Sequence, residues 1–563
     1  MLDFARDPKF WERVRNTDEF EWHRREIKEL YSSAFKTGPR AHSVEDVLSV
    51  DDKGLWRLQF DQLQSSALLS LIYPENEEYY NNLLKIIWAY LNEYTWAPLG
   101  HYTEQYYQRT PKDFDCGLLD IFALSAAFAL AEIKSLFKDR FPTLITDRIT
   151  YELRRRAIEP YLTRKFFWES HNNNWTAVCT GAIGGVLMYE DPALFFENQE
   201  RLHKSMECYL ASYNDDGMCV EGVGYWSFGF GFFASYAMLE REITNGKVDW
   251  FKQKKIKEIS KFLQKTFLQR DTILTFSDTN IAQTYSVGLP HMLHTVYGDE
   301  IEKMPKAPAL IVQDNTHFNF ALRSFIYYSE EYFTDTLRTG VTYTADNSCY
   351  LIKRTKGYGF ATKGGNNGES HNHIDVGSFI LARNNKQIIC DVGAGPYYDG
   401  YHTSKRYTFF YPSAYAHNIP IIDGVPEDDI ARDDVYVSYD EKTSTAYMDI
   451  FPAYEPDFIK SVKRSFKFED YSLTLTDSFT LEGKREIKER FVSVIKPQIF
   501  DGYIMIDDFV IRTSGSLTPT VTEKELERHL GATKYTAYII EYTLPKGETE
   551  FTAEFKTNEE ASL

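Results

Sequence analysis

The chain has 563 residues and a net charge of −19, from 63 Lys and Arg against 82 Asp and Glu. That acidic balance argues against a nucleic-acid binder, whose footprint is basic. A composition 43% apolar and 26% charged argues against disorder, and no stretch approaches the roughly 18 apolar residues of a membrane span.

The length predicts more than one folding unit. The N-terminal stretch MLDFARDPKFWERV is charged throughout and lacks the apolar segment of a signal peptide. It places the protein in the cytoplasm, or in the periplasm or outside the cell if a signal has been trimmed. Helices are expected near 9–15, 20–35 and 62–72. Leu83, Ile86, Ile87, Tyr90 and Leu91 then follow helical spacing, as do Phe122, Ala126, Ala129, Leu130 and Ile133. Further helices are expected near 143–163, 175–189, 192–212 and 228–244, and Ile256, Ile259, Leu263 and Phe267 continue the series. Many helices joined by short polar connections suggest stacked hairpins or an (α/α) toroid over residues 1–305. Met304–Thr316 reads as a linker, and 306–347 as linker and start of a β region. From 348 to 563 the pattern is short strands: Cys349–Lys353, Gly377–Arg383, Gln387–Asp391, Leu473 with Leu475, Phe491–Ile495, Tyr503–Ile506 and Tyr538–Thr543. Asn384-Asn385-Lys386 reads as a hairpin turn. The fold class is therefore multidomain, α then β, with an antiparallel β-sandwich at the C-terminus. The cysteines (Cys116, Cys179, Cys208, Cys219, Cys349, Cys390) form no C-x-x-C pair, which speaks against a disulfide framework and a thiolate zinc site.

Three polar clusters stand out. Ser170-His171-Asn172-Asn173-Asn174-Trp175 precedes a helix, and successive amides are expensive to bury without partners. They read either as a loop with one Asn capping the helix, or as a fan of donors for a carboxylate beside an imidazole base. Glu221-Gly222-Val223-Gly224-Tyr225-Trp226 combines permissive glycines with a tyrosine able to exchange a proton. Glu369-Ser370-His371-Asn372-His373-Ile374-Asp375, if extended, turns His371, His373 and Asp375 to one face. A His-x-His pair is a clip for a divalent metal, and Asp391 and His417 are nearby candidates to complete it. The competing reading is one special histidine beside a surface one, since the chain holds 13.

Together these clusters resemble the heparinase II/III-like polysaccharide lyases, a superfamily of alginate, heparin and glycosaminoglycan lyases, and the likeness in layout spans nearly the whole chain. His171-Asn-Asn-Asn-Trp175 is similar to that family's active-site loop, Glu221-Gly-x-x-Tyr225-Trp226 to its tyrosine segment, and His371-Asn-His373-x-Asp375-x-Gly-Ser-Phe379 to its β-domain histidine signature. The resemblance implies a uronate-cleaving carbon–oxygen lyase with the helical toroid as catalytic domain. It implies metal ligands His373, Asp391 and His417, with His371 reaching the active site. The metal would be zinc, with manganese or calcium as alternatives, in a structural role and with no organic cofactor. Asn172, Asn173, Asn174 and His371 would neutralise the substrate carboxylate, His171 or Tyr225 would be the base, and Tyr225 the acid. Trp175, Glu221, Trp226, Arg406 and Tyr415 would contact substrate, with Arg406 read either as a clamp for carboxylate or sulfate or as a loop arginine. The expected partner is an acidic polysaccharide or oligosaccharide, most simply a glycosaminoglycan (heparan sulfate, chondroitin sulfate, hyaluronan); nucleic acid and membrane are excluded, and a homodimer is admitted. Competing functions are an oligoalginate lyase, a glycoside hydrolase using Asp215, Asp216 or Glu221, and a non-catalytic carbohydrate-binding protein. Most of the 16% aromatic residues should fill the core, with Trp175, Tyr225, Trp226 and Tyr415 lining a groove where positive and amide groups gather.

Overall fold

The computed structural model describes residues 3–43, 45–46, 54–98, 101, 118–312, 317–398, 400–401, 403–529 and 533–557. Cys116 and residues 313–316 of the expected linker lie outside them. Among the described residues the longer helices of the first half are α1 (Pro8–Asn16), α2 (Glu21–Ala34), α3 (Gly54–Ile72), α4 (Glu77–Asn92), α5 (Ile121–Leu136), α6 (Thr143–Leu153), α7 (Asn174–Glu190), α8 (Pro192–Leu210), α9 (Gly231–Ile243), α10 (Lys254–Ser260), α11 (Gly288–Tyr297) and α12 (Phe318–Ile326). Side-chain caps set the starts of α1, α4 and α5: Asp7 accepts from Lys9 N, Asn76 from Glu78 and Tyr79 N, and Asp120 from Ala123 N. α7 is apolar on every side and buried between α5, α8 and α9. A Cβ at Gly185 would lie 2.3 Å from the Phe128 ring, so α5 and α7 meet at glycine distance.

The span 306–347, read as linker and start of the β region, contains a helix. In α12, Phe318, Ala321, Leu322 and Phe325 share one face and pack into the toroid against α3, α5 and α11. Arg323 forms a buried pair with Glu132 of α5 at 3.0 Å. The last helix thus returns to the early ones and closes the ring.

Strands follow. β1 (Val341–Ala345), β2 (Tyr350–Arg354), β3 (Gly359–Lys363), β4 (Phe379–Arg383) and β5 (Lys386–Ile389) form an antiparallel meander. β2 starts one residue later than its expected position because Cys349 has φ of 59° and belongs to the preceding turn. Asn384 and Asn385, at φ of 51° and 56°, make the two-residue β4–β5 turn. This sheet is covered on both faces, so β3 and β4 are buried at every residue rather than alternating. Ile352, Ala361 and Ile380 join the toroid core; Leu351, Phe360, Phe379 and Leu381 join the sandwich core.

The remaining strands of the C-terminal half are β6 (Ile421–Ile422), β7 (Ser438–Asp440), β8 (Thr445–Asp449), β9 (Ile459–Phe468), β10 (Ser472–Leu481), β11 (Ile487–Ser493), β12 (Gln498–Phe500), β13 (Tyr503–Ile506), β14 (Phe509–Thr513), β15 (Thr520–Glu527), β16 (Lys534–Thr543) and β17 (Glu550–Lys556). They form a four-stranded sheet, β6-β11-β16-β15, and an eight-stranded sheet, β7-β8-β9-β10-β17-β14-β13-β12. The bond from Cys390 N to Val492 O, 2.8 Å, joins the five- and four-stranded sheets edge to edge. The eight-stranded sheet packs on both across one apolar core. The architecture is an (α/α) toroid followed by an antiparallel β-sandwich, with the five-stranded sheet as the shared wall.

Candidate active site at the junction of the two halves

The segment 369–378 is not a strand. His371 has φ of 55°, a left-handed conformation that costs a non-glycine residue about 1–3 kcal/mol. The turn breaks the expected single face. His371 and His373 both bond Asp278, while Asp375 pairs with Lys363 at 2.8 Å.

Asp278 is the centre of the site. Its Oδ2 accepts from His371 Nδ1 at 2.9 Å. Its Oδ1 accepts from His373 Nε2 at 3.1 Å, Tyr401 Oη at 2.8 Å and Arg406 Nη2 at 2.9 Å. Burial alone would raise this carboxyl; the histidine hydrogen bonds and the Arg406 charge overcome it and hold it well below the usual carboxylate range. Asp278 comes from the first half, and its donors come from the second. The next residue locks the register. Thr279 is clasped between Gly222, at φ of 102°, and Gly393, at φ of 62°, and any Cβ on either would lie 2.1 Å from a Thr279 oxygen. Val223 N donates to Thr279 Oγ1, and Ala394 N to Thr279 O. Two glycines therefore bring the Tyr225 segment and the Tyr397 segment against Asp278.

Tyr225 is half-buried, one residue before a π-helical turn, Trp226–Phe230. Its ring centre lies 4.0 Å from that of His371, and its hydroxyl lies 3.0 Å from the Tyr397 hydroxyl. Burial first, and the Asp278 charge second, push its pKa well above the ordinary tyrosine value. A tyrosine acting as base would need the opposite shift, and this environment does not supply it, because the closest full charge beside the imidazole is a carboxylate. Glu221 is half-buried, and burial raises its carboxyl against the opposing effects of His371 and Ser370. On the other side of Tyr397 stands His529, with ring centres 4.2 Å apart.

The toroid contributes the start of α7. Asn173 is its cap, accepting from Trp175 N at 3.1 Å, and Asn174 is buried. A Cβ at Gly229 would meet the Asn174 Cβ at 3.1 Å, so the turn after Tyr225 lies on the first turn of α7. His171 and Asn172 are exposed. The His171 ring packs on Phe167, Phe167 on Trp175, and Trp175 on His101, whose Nδ1 lies 2.6 Å from Asp120.

Three expected substrate contacts are engaged otherwise. Trp226 is 1% exposed and donates to Ile259 O, a core residue because its π turn faces inward. Tyr415 is exposed, but its ring faces the Arg490 guanidinium of β11 rather than Tyr225 or His371. Arg406 is buried and committed to Asp278 and to Asn372 O, so it is a tie within the protein and not an open clamp. Asp216, a hydrolase candidate, bonds Ser348 N and Oγ across the two halves, and Asp215 is exposed. Sequence reasoning missed Asp278, Tyr397, Tyr401 and His529. Gly393-Ala394-Gly395-Pro396-Tyr397 repeats the glycine–aromatic character of the Tyr225 segment and could have flagged one of them.

His373, Asp391 and His417 are fully buried, and one ligand atom from each lies within 4.8 Å of the others. His417 Nδ1 is 3.0 Å from Asp391 Oδ2. His373 Nδ1 is buried with no hydrogen-bond partner, an expensive arrangement unless something binds there. Two imidazoles and a carboxylate suit a divalent metal of the zinc type, so the residues fit such a group. A cavity of about 970 Å³ lies away from the site, lined by Arg40, His42, Leu84, Trp88, Tyr94 and Ile145 among others.

No protein-family model matches the sequence, and no curated protein matches it. Solved structures do. Heparinase III superposes with a TM-score of 0.63 at 13% identity, over 99% of this chain and 85% of that one. Heparan sulfate lyase HepC from Pedobacter heparinus gives 0.61 at 13% identity, over 99% and 87%. A Streptomyces coelicolor chondroitin AC lyase, in complex with chondroitin sulphate, gives 0.55 at 8% identity, over 99% and 82%. At such identities the likeness is one of fold: all share the toroid followed by the sandwich.

Proposed function

We propose that this protein is a polysaccharide lyase that cleaves uronic-acid-containing glycans by β-elimination, with glycosaminoglycans as the first substrates to test. The observation that carries the reading is the pairing of Tyr225 with His371, ring centres 4.0 Å apart, on a buried carboxylate at the junction of the two halves. The names of the structures that share the fold support it, since heparan sulfate and chondroitin are both uronate polymers.

Elimination at a uronate needs three things. The carboxylate must be neutralised so that charge can develop on it. A base must take the C5 proton, and an acid must protonate the C4 oxygen as it leaves. Asn172, Asn173 and Asn174, with the N-terminal end of α7, suit the first task, because amide donors and the helix dipole both favour an anion. The upward shift of Tyr225 keeps its proton in place, which suits the acid. The base is then an imidazole, and His371 is the one beside Tyr225. The C5–H electron pair becomes the C4–C5 double bond, the C4–O bond breaks, and the leaving oxygen takes the tyrosine proton. No water is consumed. A metal held by His373, Asp391 and His417 would supply a structural cross-link between the β-half loops.

The test is a panel of heparan sulfate, chondroitin sulfates, hyaluronan and alginate, read by ultraviolet absorbance and by mass spectrometry. A lyase gives unsaturated ends, with product masses that sum to the substrate. Products that have gained water would make the protein a hydrolase, and glycan binding without turnover on any polymer would make it a binding protein.

A further inference from the structure

We propose that Asp278 is the positioning residue of the site, a single carboxylate that fixes opposite tautomers in two histidines. It would present Nε2 of His371 as a lone pair for the reaction, and Nδ1 of His373 as a lone pair for the metal cluster. The role given to His371 rests on the lyase reading; the tautomer assignment does not.

An ionised carboxylate accepts hydrogen bonds and donates none. Asp278 is held 2.9 Å from the Arg406 guanidinium, a group that keeps its charge under all ordinary conditions, so its partner is the carboxylate form. Every ring nitrogen turned towards it therefore carries the hydrogen. That nitrogen is Nδ1 in His371 and Nε2 in His373. A neutral imidazole has one N–H, so the lone pair lies on the opposite nitrogen in each ring. In His373 this is Nδ1, the buried atom without a hydrogen-bond partner in the cluster with Asp391 and His417. In His371 it is Nε2, on the ring packed against Tyr225. Tyr401 and Arg406 fill the remaining acceptor positions of Oδ1 and leave the carboxylate little freedom to turn. The His371 turn, strained at φ of 55°, is held in place by the same contact. The two histidines share one acceptor, so what is bound at His373 and how His371 is oriented depend on the same side chain.

Neutron diffraction from deuterium-exchanged crystals of the protein as purified tests the assignment directly. The expected result is deuterium on Nδ1 of His371 and on Nε2 of His373. A neutral His371 deuterated at Nε2, or a His373 deuterated at Nδ1, overturns it. Asp278→Asn is the functional test. The amide keeps the shape but replaces one acceptor with a donor, so it cannot accept from both histidines. We expect kcat to fall about 100-fold or more with KM held within about threefold, and zinc affinity to weaken about 10- to 100-fold. Wild-type values of both would overturn the proposal, and if the variant fails to fold the wild-type deuterium positions decide. A protein with these deuterium positions that leaves every uronate polymer uncut refutes the lyase reading alone. A working lyase with the other tautomers refutes the role of Asp278 alone.

Discussion

Tyr225 and Trp226 are neighbours in sequence with opposite fates. The first reaches Tyr397 and His371, while the second is sealed in the toroid. Composition and spacing made both groove candidates; only the inward-facing π turn separates them. Tyr225→Phe removes the hydroxyl and leaves the ring stacked on His371. It should lower kcat by about 10²–10⁴ with KM within a few-fold, measured from initial rates of ultraviolet absorbance. Rates near wild type would remove Tyr225 from the proton transfer. The histidines and Tyr225 were legible because they sit in unusual strings. Asp278 was not: Thr275-Phe276-Ser277-Asp278-Thr279 looks like any polar turn, and its meaning comes from four donors supplied by residues 371–406. Long-range convergence of that kind leaves no local trace.

Helical and strand periodicity carried most elements, because each buries one face or alternates along its length. They missed β3, which is buried at every residue, and α12, whose apolar stripe lies in the span 306–347 that was read as linker and start of the β region. That helix completes a seam with a distinctive acid sensitivity. His23 of α2 lies 3.1 Å from Ser324 O of α12, and its ring and that of His291 of α11 both contact Tyr328. Burial pushes both imidazoles down to about 3, and does the same to His317 at the start of α12. In the unfolded chain each would take a proton near pH 6.5. Between those values the unfolded state binds more protons, so the seam loses stability as pH falls from about 6.5 towards 3, and loses none above it. Glu369 works in the opposite sense. Burial raises its carboxyl to about 7, so it stabilises the fold at low pH and loses that contribution as pH rises through 7. Hydrogen-exchange protection factors, taken against the intrinsic rate at each pH, should therefore fall first in α2, α11 and α12 when the pH is lowered from about 7 to about 5. Uniform protection across the toroid through that range would contradict the prediction.

At the scale of the whole molecule the net charge is −19. The described residues at the junction pair their charges internally: Arg406 with Asp278, Lys363 with Asp375, and Arg464 with Asp477 and Glu489 in the sandwich core. Arg464 also donates to Gly377 O and Asn418 O, at 2.9 and 2.6 Å, and so braces the loops on either side of the histidine cluster. The cluster lies where these loops meet the sheet shared with the toroid, and a metal there would stabilise the assembled fold over the open chain. At free zinc about 1,000-fold above its Kd the gain would be roughly 4 kcal/mol, or on the order of 10 °C in melting temperature for a sandwich of this size. Chelation should therefore lower the thermal unfolding temperature by that order, and zinc should restore it. Activity should be lost in step with the melting shift, because His373 and His371 share Asp278. Chelation that abolishes turnover while the unfolding curve stays in place would instead make the metal a participant in the reaction.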